Sequence, residues 1–140
     1  MLHKEELNQI SESIRSAESH TSGEIRVCVA RHCKGDPLDA ALRKFLQLKM
    51  DTTQLRNGVL IYVSPTDQKA AIVGDEGIND AARDDFWEDA LAEMLSFFRK
   101  GLIVEGISKG VGKVGELIRV QFPAMENDIN ELGDEVILEE

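Results

Sequence analysis

Apolar residues recur at helical spacing near the start of the chain: Leu7, Ile10, Ile14 and Ala17 predict an amphipathic helix over residues 4–19, closed by Thr21-Ser22-Gly23. From Glu24 to Arg31 the period changes to two. Ile25, Val27 and Val29 face one way and Arg26, Cys28 and Ala30 the other, which is the alternation of a strand. Asp36-Pro37 then reads as a helix N-cap with proline at the first helical position, and Leu38, Leu42, Phe45 and Leu46 supply a core stripe as far as about Met50. Val59 to Val63 is an unbroken apolar run, as a strand buried on both faces requires. Strand, helix and strand in that order predict a right-handed parallel crossover.

The second half of the chain changes direction. Pro65-Thr66-Asp67-Gln68 is a turn, and Ala70-Ala71-Ile72-Val73 is short enough to return as an antiparallel partner, so the sheet is mixed. Phe86, Ala90, Leu91, Met94, Leu95 and Phe98 predict a helix over 80–99, and a further helix over 103–121 stops at Pro123. Gly106 and Gly110 within it stand one turn apart, which lets the helix approach a neighbour closely at a propensity cost of about 1 kcal/mol each. The pattern adds up to an α/β fold, a three-layer α/β/α sandwich around a small mixed β-sheet, with a Rossmann-like crossover, a β-hairpin and C-terminal helices. One domain is expected over 1–123. Residues 124–140 form an acidic tail that holds Ile129, Leu132, Val136, Ile137 and Leu138; Val136-Ile137-Leu138 either add an edge strand, dock on a partner or fray.

Composition narrows the function classes. With 140 residues and 42% apolar content, the chain has a core of its own. No run reaches the roughly 18 apolar residues of a membrane span, and the N-terminus lacks the layout of a signal peptide, so a cytoplasmic location is expected. The net charge of −10 is concentrated. Residues 75–89 carry Asp75, Glu76, Asp80, Asp84, Asp85, Glu88 and Asp89 against Arg83, and the tail adds acids without a base. Nucleic acid is disfavoured as a partner and a small cation near the first acidic segment is favoured; the alternative is that most of these acids sit on a solvated helix face.

The chemistry points to the same segment. Gly74-Asp75-Glu76-Gly77 ends the third strand, and Asn57-Gly58 begins the second, so an antiparallel pairing places Asn57 beside Asp75. Calcium takes six to eight oxygen ligands, and Asp75, Glu76, Asn79 and Asp80 supply them, with Asn57 and Asp67 as further oxygen donors. The hairpin puts Asp67 at the opposite strand end from Asp75. Gly74 and Gly77 are expected to bend the backbone through positive φ. The corner reads as rich in carboxylates and short of bases. The alternative is ordinary N-terminal capping by Asn79 or Asp80. No EF-hand spacing is present.

Other chemistry finds less in the sequence. Neither Cys28 nor Cys33 has an arginine six residues downstream, as a thiol phosphatase needs, and Cys28 alternates with valines as a buried residue does. The string Gly110-Val111-Gly112-Lys113-Val114-Gly115 matches a dinucleotide fingerprint in letters only, since it lies inside a helix and follows no strand.

Several of these segments, taken in order, resemble the TPM domain family, whose members include a chloroplast thylakoid-lumen protein of photosystem II repair and many bacterial proteins. The resemblance is carried by Thr21-Ser22-Gly23-Glu24-Ile25-Arg26-Val27, by Arg56-Asn57-Gly58-Val59-Leu60-Ile61-Tyr62-Val63, by Asp67, by Ile72-Val73-Gly74-Asp75-Glu76-Gly77-Ile78, and by Phe98-Arg99-Lys100-Gly101 with Gly106-Ile107 and Gly110-Val111. It spans about residues 4–122. It implies the same sandwich, and it implies two functions: a soluble calcium-binding interaction or regulatory module with an unidentified protein partner, or a metal-dependent acid phosphatase acting on phosphomonoesters.

Overall fold

The structure, a computed structural model, describes residues 2–79, 86–125 and 131–139. Helix α1 (Lys4–Glu18) leads into β1 (Glu24–Ala30), α2 (Pro37–Gln47) and β2 (Gly58–Ser64), followed by β3 (Lys69–Gly74), a single turn α3 (Glu76–Asn79), α4 (Glu88–Arg99), α5 (Ile103–Arg119) and β4 (Ile137–Glu139). The strands lie in the order β3-β2-β1-β4. β1 runs parallel to both β2 and β4, and β2 runs antiparallel to β3, in a register that sets Val59 opposite Gly74.

Every residue of β2 is buried, as its unbroken apolar run requires of a central strand covered on both faces. Alternation along the sheet divides the core in two. Ile25, Val27, Val29, Val59, Ile61 and Val63 meet α1, α4 and α5, while Cys28, Ala30, Leu60 and Tyr62 meet α2. The molecule is thus the expected α/β/α sandwich around a mixed sheet. Among the described residues no helix is long and apolar enough to cross a membrane.

Helix α2 corrects the sequence reading. Its buried residues are Ala41 and Phe45, and Leu38, Leu42 and Leu46, expected in the core, lie on the outer face at 47%, 43% and 61% exposure. Two apolar stripes compete on this helix, and the smaller Ala41 fits closer to the sheet. Asp36 caps the helix as expected, its carboxylate accepting from the Leu38 amide at 2.9 Å. The helix stops at Gln47 because Lys49 takes a left-handed conformation, and Met50 belongs to a short 3-10 turn.

The glycines of α5 sit where neighbours are nearest. A Cβ on Gly106 would stand 2.8 Å from the Cβ of Phe97, and one on Gly110 would press into Met94, both on α4. Gly115 faces Ala17 of α1 at 3.0 Å. The helix is wedged between two others, and small residues at the contacts are what permit it. The expected helix start at residues 80–85 lies outside the described residues, and α4 begins at Glu88.

Candidate functional site

Asp75 closes β3 with its backbone amide donating to the Gly58 carbonyl at 2.9 Å, so the end of β3 and the start of β2 form one corner, as the sequence pairing predicts. The Asp75 side chain is 5% exposed. A carboxylate at that depth needs compensation, and Arg56 supplies it in a two-pronged contact: Nε donates to Oδ2 at 2.8 Å and Nη2 to Oδ1 at 2.9 Å. The Glu76 amide donates to Oδ1 at 2.7 Å, and the exposed Glu76 carboxylate reaches Arg56 Nη1 at 3.2 Å. The hydrogen bond to Asp75 holds the Arg56 guanidinium above its usual range. The corner is therefore not short of bases: Arg56 is a resident cation between the two acids.

Two glycines make the corner possible by their size. Neither Gly74 nor Gly77 is among the described residues with positive φ, contrary to the expectation. A Cβ on Gly77 would stand 2.7 Å from the Arg56 carbonyl oxygen and 2.8 Å from that of Leu55. Without it, the Gly77 amide donates to the Arg56 carbonyl at 2.9 Å and pins α3 against the loop before β2. Arg56 itself has φ 51°, a left-handed value that turns its side chain towards Asp75.

The other expected ligands are placed apart. Asn57 is buried beside Asp75 in sequence register, but its side-chain amide donates to the Ser22 carbonyl at 3.0 Å and its own carbonyl accepts from Glu24, so it ties β1 to β2. Asp67 lies at the opposite end of the sheet, where its carboxylate accepts from the Cys33 amide at 2.7 Å and approaches His32 Nδ1 at 3.5 Å. That amide, and then His32, hold its carboxyl below the usual range. Asp80 lies outside the described residues. Among the described residues, no group of three or more His, Cys, Asp or Glu side chains converges as a metal would require.

A second feature escaped the sequence reading. At the carboxyl ends of β1 and β2, a cleft of about 740 Å³ opens between the sheet and α2, lined by His32, Lys34, Asp39, Arg43, Lys44 and Glu139 among others. Open α/β sheets bind ligands at this edge, and the immediate passage from β1 to the Asp36-Pro37 helix start was the signal available for it. Its floor is a small network in which Glu139 accepts from Tyr62 OH at 3.1 Å and pairs with Lys44 at 3.3 Å. Burial pushes the Cys28 thiol up to about 12, and Cys33 is 5% exposed.

Comparison with known proteins places this geometry in a family. Residues 1–117 match the model of the TPM domain. The NMR structure of the BA42 protein from the psychrophilic bacterium Bizionia argentinensis is similar at 40% identity and a TM-score of 0.89, over 99% of this chain and 95% of that one. The N-terminal domain of a P. gingivalis protein, 17% identical, shares the fold at a TM-score of 0.70 over 90% of this chain and 83% of its own. A corresponding domain from Corynebacterium glutamicum, 12% identical, does so at 0.65 over 98% and 80%. No curated protein matches the sequence. By the match over residues 1–117, the chain belongs to the TPM domain family.

Proposed function

We propose that the chain is a binding module without chemistry of its own, taking a divalent cation, calcium by the nature of its oxygens, at the corner of Asp75 and Glu76. The supporting observation is that two carboxylates already converge there on one positive charge, at 2.8, 2.9 and 3.2 Å. The side chain that carries that charge, Arg56, is 43% exposed. It can swing into solvent and leave both acids to a harder ion, which selects carboxylate and carbonyl oxygen. Asp75 and Glu76 fill only part of a calcium shell. Water is the source of the remaining oxygens, and Asp80, a ligand the sequence suggests, lies outside the described residues.

The reading makes Arg56 and the cation competitors, and this can be measured. In backbone NMR, millimolar calcium should move the amides of Arg56, Asp75 and Glu76, while sodium at the same ionic strength should not. Arg56→Gln should bind calcium more tightly than wild type and regain thermal stability on adding it, because the ion then compensates the buried Asp75. Silent amides in both proteins would sink the cation site. The family resemblance alone carries the alternative of a metal-dependent phosphomonoesterase. A generic phosphomonoester assayed with calcium settles that choice, since turnover above that of Asp75→Asn would replace the module with a hydrolase.

A further inference from the structure

Three of the large apolar side chains left exposed, Leu38, Leu42 and Leu46, stand in one row on α2, each four residues after the last. At about 100° per residue the row is centred roughly 80° round the helix from the buried Ala41 and Phe45, so the sheet beneath does not cover it. Asp39, Arg43 and Gln47 follow beyond it, on the side that lines the cleft. Single leucines on a surface are ordinary, but three on consecutive turns make an uncovered packing ridge.

The row is symmetric about its middle member. A two-fold rotation through Leu42 that sets two α2 helices side by side in opposite directions lays Leu38 on Leu46 of a second copy, Leu46 on its Leu38, and Leu42 on its Leu42. The flank repeats that symmetry in charge. Asp39 and Arg43 are exposed, stand one turn apart beside the row, and have no hydrogen-bond or ion-pair partner among the described residues. In antiparallel helices the same flank of each copy meets, so the rotation brings Asp39 towards Arg43 of the second copy and Arg43 towards its Asp39. Residues 34–49 carry Lys34, Arg43, Lys44 and Lys49 against Asp36 and Asp39, so this face lacks the acid excess by which a chain of net charge −10 repels its own kind.

We propose that the outer face of α2 is the contact of a weak two-fold dimer, with Leu42 on the axis and Asp39 and Arg43 paired across its rim. The second copy is the occupant because the leucine spacing and the order of the two charges are both self-complementary. One helix of eleven residues from each copy is a small contact, below about 1,200 Å², and it belongs with transient associations whose Kd is about 10–100 μM.

Sedimentation equilibrium of the full chain from about 5 μM to about 1 mM, with a chelator present so that no cation at Asp75 takes part, should show the mass rising from 15.6 kDa towards twice that value. Leu42→Glu sets two carboxylates on the axis and should stay at 15.6 kDa throughout. Arg43→Asp should weaken the dimer about tenfold by placing acid against acid, and adding Asp39→Arg should restore most of the loss, which a merely greasy contact would not show. Cys28 and Cys33 are buried, so Leu42→Cys supplies the exposed thiol, and on oxidation it should cross-link at least about tenfold faster than Gln47→Cys on the cleft side. All of these positions are exposed and leave the core intact. A wild type that stays at 15.6 kDa up to about 1 mM, a Leu42→Glu protein that still doubles in mass, a charge swap that restores nothing, or equal cross-linking at 42 and 47 overturns the proposal.

Discussion

Alanine substitution along α5 isolates the role of its glycines, because the same change is made on one helix in four surroundings. Each Gly→Ala gains about 1 kcal/mol of helix propensity. At Gly112, which is exposed with nothing within 4 Å of a new Cβ, that gain stands unopposed, and the variant should be more stable by about 0.5–1 kcal/mol. At Gly115 the Cβ meets that of Ala17 at 3.0 Å, a contact that a small parting of α1 and α5 relieves, so the net change should be near zero. At Gly110 it would stand 2.6 Å from Met94 Cγ, and Met94 is fully buried without room to withdraw. At Gly106 it meets the stiff Phe97 Cβ at 2.8 Å and the Phe98 ring at 3.1 and 3.2 Å. Overpacking of this kind costs about 1–3 kcal/mol, which outweighs the propensity gain, most severely at Gly106. Urea unfolding followed by circular dichroism, with the slope held constant, gives the order Gly112, Gly115, Gly110, Gly106 from most to least stable. A Gly106→Ala protein as stable as Gly112→Ala would refute the claim that α5 is wedged against α4.

Three further measurements test other parts of the structure. Asp67, whose carboxyl is depressed by the Cys33 amide and His32, contributes stability above its ordinary range that is lost as the pH falls through its lowered value, so the melting temperature of wild type should drop below about pH 4 more steeply than that of Asp67→Asn. Tyr62→Phe keeps the buried ring and removes the bond to Glu139, which should cost about 1 kcal/mol and lower the hydrogen-exchange protection of the Arg31 amide, bonded to the Glu139 carbonyl, about fivefold. Ellman's reagent should leave Cys28 and Cys33 unlabelled in the native protein and label both in denaturant; rapid native labelling of Cys28 would contradict its placement in the sheet.

What was legible in the sequence was local. The 2.0 and 3.6 periods located α1, β1 and α5, the unbroken apolar run located β2, the Pro65–Gln68 turn located β3, and Asp36-Pro37 located the start of α2, because each depends on neighbours a few residues away. The pairing of Asn57-Gly58 with Asp75 was also readable, since hairpin register follows from the turn. What failed depended on the third dimension. Arg56 was visible beside Asn57, yet only its left-handed backbone aims it at Asp75. Leu38, Leu42 and Leu46 made a helical stripe as good as the one that is buried, and the sheet chose between the two. Gly74 and Gly77 were rightly singled out but for the wrong reason: the constraint on Gly77 is a carbonyl of a different loop, which no local pattern contains. For the tail the sequence offers an edge strand, a docked segment or a frayed end, and in the structure Ile137–Glu139 forms β4.

The position of β4 also bears on the order of folding. β1, α2, β2 and β3 assemble from a crossover and a hairpin, whereas the segment 131–139 joins residues as far apart as Arg26 and Glu135, 109 positions along the chain. Closing so long a loop costs entropy before any contact rewards it, and three residue pairs repay little of it early. The segment 131–139 is therefore expected to dock after the rate-limiting step. Substitutions at Leu132, Ile137 or Glu139 should leave the refolding arm of a chevron in place and speed escape from the native state, so that this segment governs how long the molecule stays folded and not how fast it gets there.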